Sequence, residues 1–275
     1  MFIIEVLKAI LFGIIEGVTE WLPVSSTGHL IIVNELVRLN ATEAFGEFFI
    51  VAIQLGAILA VPIIFGRKLF SFSGGTAERG ARAAVWRRVF VGALPAAVLG
   101  VLLDDIIERL LFNYVVVAIA LIVYGVAFII ISKKNSGRTP RISRIEDVSY
   151  ADAFVIGLFQ ALSLVPGTSR SGSTILGGIS VGASRSASAE FSFLLAIPIM
   201  LGATLLKGVK LFASGYVLSS SEILLLLVCS LTSFFISLIS MRFLLDFVKR
   251  HTLRLFGYYR ILLGALVLVF FAFAK

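Results

Sequence analysis

Two glutamates four residues apart, Glu16 and Glu20, sit in an otherwise apolar stretch, with Pro23, Ser25, Ser26, Thr27, Gly28 and His29 close behind. On a helix that spacing puts both carboxylates on one face, about one turn apart. Acids so placed repel each other. Hard oxygen ligands of this kind suit Mg²⁺ or Ca²⁺, whose charge would cancel the repulsion. The plainer alternative is a helix end that dips its acids into interfacial water. Pro23 followed by hydroxyl residues has the grammar of a helix start, with Ser25 as its cap. In a low-dielectric cavity such an N-terminus also binds anions. His29 alone would pass for hydrogen-bonded packing, but beside Ser26 and Glu20 it can carry a proton near neutral pH.

The run Pro166-Gly167-Thr168-Ser169-Arg170-Ser171-Gly172-Ser173-Thr174 repeats the construction. Here a guanidinium joins the helix start, and its paired donors fit phosphate. A purely structural Arg170 would need a buried acid or carbonyls to neutralise it, and Glu16 or Glu20 could serve. Two anion-binding helix starts, an arginine, an acidic metal-type pair, hydroxyls and a histidine suit phosphoryl chemistry on a lipid head group. There, charge neutralisation and positioning dominate.

The elements that must position these residues follow from composition. Hydrophobic residues make up 59% of the 275, charged residues 15%, and mean hydropathy is +1.05. Soluble domains run at about half apolar and about a quarter charged, so a soluble fold is excluded. The apolar runs are long rather than alternating, which predicts an all-α integral membrane protein. Three charge-free runs reach spanning length, 48–66, 110–132 and 223–241. Three somewhat shorter ones, 89–103, 191–206 and 261–274, the last extended upstream across Arg260, bring the expected spanning helices to six. Two more, 9–33 and 153–182, are broken in the middle by the polar motifs. Non-helical backbone at membrane depth survives only inside protein or against a watery cavity, so both read as re-entrant helix–break–helix hairpins.

Lys and Arg concentrate in 67–88, 133–144 and 242–254, alternating with poorer connections at 38–47, 104–109 and 207–222. Positive loops stay in the cytoplasm, which places both termini outside. The net charge of +8 is therefore an orientation signal and not a nucleic-acid one. Cys229 stands alone, without a disulfide framework or a cysteine metal site. No cleavable signal peptide is expected, because Glu16 and Glu20 interrupt the first apolar stretch. At a constant offset of 144, Gly13, Glu16, Ser25, Thr27 and Gly28 fall on Gly157, Gln160, Ser169, Ser171 and Gly172. The expectation is one membrane domain of two inverted-topology repeats, about 1–132 and 151–275, joined by a basic cytoplasmic segment at 133–150. Such repeats place a site near the midplane at their interface.

The stretches Glu16-Gly-Val-Thr-Glu20-Trp-Leu-Pro-Val-Ser-Ser-Thr-Gly-His29 and Pro166-Gly-Thr-Ser-Arg-Ser-Gly-Ser-Thr174 resemble the signatures of the undecaprenyl-diphosphate phosphatase family, of the bacitracin-resistance type. The resemblance runs almost end to end and includes Gln54-Leu-Gly and Glu190-Phe-Ser-Phe. It implies a multi-pass enzyme of the bacterial inner membrane. Such an enzyme removes the terminal phosphate of undecaprenyl diphosphate, recycles the carrier for cell-wall synthesis and depends on a divalent cation. By position, Glu16 and Glu20 look like the acidic motif and Ser26 like the proposed nucleophile. His29 resembles the nearby acid/base and Arg170 the phosphate-binding arginine. Ser25, Thr27, Gln54, Ser169, Ser171 and Thr174 look like substrate contacts. A carrier or flippase for a prenyl-phosphate lipid is the alternative, since inverted repeats with broken helices also build transporters. Oligomeric state is left open, a homo-oligomer included.

Overall fold

A computed structural model describes residues 2–70 and 75–273, without the side chains of Glu43, Arg67 and Lys68. The basic charges expected of Arg67 and Lys68, and the exact C-terminus at 275, fall outside the described residues. Among the described residues every regular element is helical, and the one β contact is an isolated bridge between Ile142 and Ala183.

The chain opens with α1 (Phe2–Thr19) and, after a six-residue break, α2 (Ser26–Leu36). Three short pieces, α3 (Glu43–Ala52), α4 (Gln54–Ile58) and α5 (Ala60–Phe65), together form one apolar helical stretch, Ala44–Phe65. Then come α6 (Thr76–Leu111) and α7 (Tyr114–Lys134). The second half follows the same order. It has α8 (Tyr150–Ala161), α9 (Arg170–Ser180), α10 (Arg185–Ala213), α11 (Ser220–Arg250) and α12 (Arg254–Phe273). Among the described residues six helical stretches are long and apolar enough to cross a bilayer: 44–65, α6, α7, α10, α11 and α12. At about 1.5 Å per residue, the eleven residues of α2 or α9 cover only about 16 Å.

Three expectations need correction. The predicted span 110–132 begins later, because α6 runs to Leu111 and Asn113 caps α7 by accepting from the Val116 amide at 3.0 Å. Most of the basic connections are not loops. Arg79, Arg82, Arg87 and Arg88 lie in α6, and Arg242, Lys249 and Arg250 lie in α11. The acidic 104–109 segment is likewise helical, in α6, and Lys207 and Lys210 belong to α10. A helix satisfies its own backbone, so it can project beyond the apolar slab and carry charges on the overhang. Apolar run lengths therefore underestimate the helices; α6 has 36 residues, about 54 Å.

Close helix crossings hold the bundle. α1 lies along α11, α8 along α6, and α7 along α12. At the first crossing a Cβ on Gly13 would sit 2.6 Å from the Cys229 carbonyl, and at the second a Cβ on Gly157 would sit 2.3 Å from the Gly92 carbonyl. Without side chains there, the backbones meet in direct van der Waals contact, which drives helix association in lipid. α2 and α9 both reach α7 and α10 or α12, so the two breaks face each other near the α7/α12 pair.

Candidate active site

The first break is set by Pro23 and by Ser25, whose hydroxyl accepts from the Gly28 amide at 3.3 Å. The second is set by Gly167 at φ +94° and by Ser169, whose hydroxyl accepts from the Gly172 amide at 3.1 Å. Ser25 and Ser169 have φ of 74° and 69°, and they are the only non-glycine residues of positive φ among those described. Such backbone is strained, by about 1–3 kcal/mol per residue, and persists only where its surroundings over-determine it. Both residues sit at helix N-caps, and they are the pair that the 144-residue offset relates.

Glu20 follows the last residue of α1, but its amide still donates to the Glu16 carbonyl at 2.9 Å, so the two acids keep their common face. Glu20 is 6% exposed and uses both carboxylate oxygens. Oε1 accepts from Arg170 Nη2 at 2.8 Å, and Oε2 accepts from the Ser26 hydroxyl at 3.0 Å. Arg170 also donates from Nη1 to the Ser192 carbonyl at 2.8 Å and stacks its guanidinium 5.4 Å from the Trp21 ring. Its Nε–H is buried without a partner. The structure thus joins Ser26, Glu20 and Arg170 in one chain of contacts across the two breaks.

His29 points elsewhere. Its Nδ1 lies 2.7 Å from the Ser25 carbonyl, which can only accept, so Nδ1 carries a hydrogen. Its Nε2 faces the Tyr259 hydroxyl at 2.6 Å, with the two rings stacked. No hydrogen bond joins His29 to Ser26 or Glu20 among the described residues. It stays one turn from Ser26 on the same face of α2.

Ser171, Thr174 and Ser169 have structural occupations. Ser171 donates to the carbonyls of Glu20 at 2.9 Å and Leu22 at 3.2 Å, stitching α9 to the first break. Thr174 bonds the Arg170 carbonyl and the Ser192 hydroxyl, so it steadies the residue whose carbonyl receives Arg170. Ser169 caps. Among the described residues, half-buried Thr27 makes no hydrogen bond to the chain of contacts, and neither does half-buried Gln54 at the start of α4.

Two residues carried by no motif complete the arrangement, Tyr259 and Arg260 on α12. Arg260 is fully buried and donates to the Pro23, Gly167 and Thr168 carbonyls at 3.3, 2.7 and 2.9 Å. An arginine near a helix start reads from sequence as an ordinary interfacial residue, and nothing in its spacing links it to positions 23 or 167.

Glu16 is fully buried, and among the described residues neither of its oxygens has a hydrogen-bond partner. Gln160, its counterpart at the 144-residue offset, is also fully buried with both amide atoms unpartnered. An orphaned carboxylate beside a second carboxylate fits a bound divalent cation, since hard oxygen donors are what Mg²⁺ and Ca²⁺ take. A second acidic group, Asp104, Asp105 and Glu108, already has its cations in Lys207 and Lys210 at 2.6–2.7 Å. A recess of about 450 Å³ opens at the other, basic end, remote from these motifs. Its Arg141 is held by Asp152 and the Val181 carbonyl, and its Arg185 by the His251 carbonyl.

Residues 9–266 match the family described as Bacitracin resistance protein BacA. Proteins named undecaprenyl-diphosphatase from Streptococcus pyogenes serotypes M3, M1 and M28 are 52% identical over 272 residues, 98% of this chain and 98% of each relative. The family match takes in both breaks, the other five long apolar helices and α12 as far as 266, Tyr259 and Arg260 included. This chain belongs to the Bacitracin resistance protein BacA family.

Proposed function

We propose that this protein hydrolyses undecaprenyl diphosphate to undecaprenyl phosphate and inorganic phosphate, from within a bilayer. The observation that carries this reading is the contact chain Ser26–Glu20–Arg170 between two capped helix starts. It brings a hydroxyl, a proton acceptor and a phosphate-type cation together where anions bind. In the proposed chemistry the Ser26 oxygen attacks the terminal phosphorus while Glu20 takes its proton. The anhydride P–O bond breaks, and its electrons leave with the undecaprenyl phosphate oxygen, a weak base that needs no acid. Water then attacks the phosphoserine phosphorus, its proton passing to His29 Nε2 once that nitrogen has let go of the Tyr259 hydroxyl. The P–Oγ bond breaks, Ser26 takes back its proton from Glu20, and inorganic phosphate leaves. Arg170 turns its spare Nε–H toward the phosphoryl oxygens.

Glu16 and Glu20 would hold a divalent cation, which when bound supplies charge neutralisation. Glu16, Glu20, Arg170 and Arg260 sum to no net charge in their usual ionic forms. A diphosphate bringing about two or more negative charges needs a further positive one.

The architecture that we infer for this chemistry is two inverted-topology repeats with α1–α2 and α8–α9 as re-entrant hairpins. The reciprocal crossings, α1 on α11 and α8 on α6, support it, as do Gly13 and Gly157 at those crossings and the paired strain at Ser25 and Ser169. With the basic overhangs in the cytoplasm of a bacterial inner membrane, the site opens to the outer side. The prenyl tail stays in the outer leaflet, between helices whose lipid-facing surface carries Phe and Leu.

The test is phosphate release from a defined prenyl diphosphate by the purified protein, with and without chelator. Release that stops on chelation is expected. Transfer of intact lipid between leaflets without release would favour a carrier instead.

A further inference from the structure

Arg260 is where the two breaks converge, and no motif contains it. We propose that Arg260 is a positioning residue: its guanidinium fixes the separation of the α2 and α9 helix starts and adds a positive charge that no carboxylate among the described residues pairs with. Its effect on turnover rests on the phosphatase reading; the clamp itself rests on geometry alone.

Thr168 and Gly167, which receive Nη2, immediately precede the cap Ser169, and Pro23, which receives Nη1, lies two residues before the cap Ser25. One rigid fork therefore holds the approach to both helix starts. Lower down, the guanidinium lies 5.6 Å from the Tyr124 ring centroid and 5.9 Å from that of Phe128, both on α7. Gly172 makes the room: a Cβ there would stand 3.2 Å from Nη1 of Arg260 and 3.3 Å from the Phe128 ring. The glycine in the second motif is thus explained by a residue 88 positions away.

Burying a guanidinium without a counter-ion is costly, and an apolar residue would fill a packing role more cheaply. No ion pair involves Arg260 among the described residues, whereas Arg170 is paired with Glu20. Of the two arginines, only Arg260 holds its charge without a directly paired carboxylate, beside helix starts whose dipoles already favour anions.

Lysine keeps that charge, but one ammonium on a flexible stem cannot hold three carbonyls of two segments in a single geometry. Glutamine keeps neither property. Arg260→Lys should leave KM for a prenyl diphosphate near the parent's while kcat falls about ten- to a hundredfold. Arg260→Gln should lower kcat at least as far and raise KM about tenfold, since it loses the charge as well. Hydrogen exchange read in the same preparations should quicken in Arg260→Gln at both 20–28 and 165–172, with α11 unchanged. Activity loss that only follows a lower thermal midpoint, with KM unmoved in both variants, would reduce Arg260 to a packing residue. Faster exchange in just one of the two segments would overturn the clamp. Parent protein that released no phosphate would remove the phosphatase reading, and exchange would still decide the clamp.

Discussion

Arg170 divides its donors between Glu20, the Ser192 carbonyl and an unfilled Nε–H, so in the proposed chemistry it has a donor left for phosphate. Arg170→Lys should therefore lower kcat/KM by about a hundredfold or more, since an ammonium cannot keep Glu20 in place and still meet a phosphate in line. Near-parental turnover would make Arg170 a structural partner of Glu20. Glu16→Gln and Glu20→Gln should each weaken the response to added Mg²⁺ or Ca²⁺ as well as the rate, because both would share one ion. A cation titration of the double variant that overlays the parent's would remove the metal assignment. Glu16, Glu20 and Arg170 were legible in the sequence because a charge inside an apolar run is rare and expensive. Tyr259 and Arg260 were not. They stand at the edge of a span, where tyrosine and arginine are ordinary, and their partners are brought to them only by folding. Spacing put His29 beside Ser26 and Glu20, but its contacts, which sequence could not give, run to the Ser25 carbonyl and Tyr259.

At the scale of the element, the two strained caps invite a paired substitution. Ser169→Ala loses the cap bond and keeps a positive φ, so it should destabilise by about 1 kcal/mol. Ser169→Gly loses the same bond but relieves the backbone, and should come out near the parent. Thermal midpoints in detergent compare the two, and equal losses would mean that φ +69° costs nothing there. The breaks themselves could be read from Pro23 and from Pro166-Gly167, because those residues stop helices for reasons local to the chain. Helix ends beyond the bilayer could not be read in this way. Hydropathy marks where lipid ends, while α6 and α11 continue past that boundary on internal hydrogen bonds.

For the whole molecule, the orientation argument predicts both ends outside and the basic overhangs of α6 and α11 inside. Single cysteines on a Cys229→Ser background, labelled from each side, check this at residues 2 and 273; labelling of either from the basic side would reverse the topology. The native thiol offers something different. Cys229 is wholly enclosed where α11 meets Gly13 on the helix that carries Glu16. A thiol reagent can reach it only when that crossing parts, so in the unaltered protein its reaction rate is a stopwatch for the breathing of the acidic helix. If a cation draws Glu16 and Glu20 together, the stopwatch should run slower in its presence than after chelation, in resting protein with no substrate and no turnover.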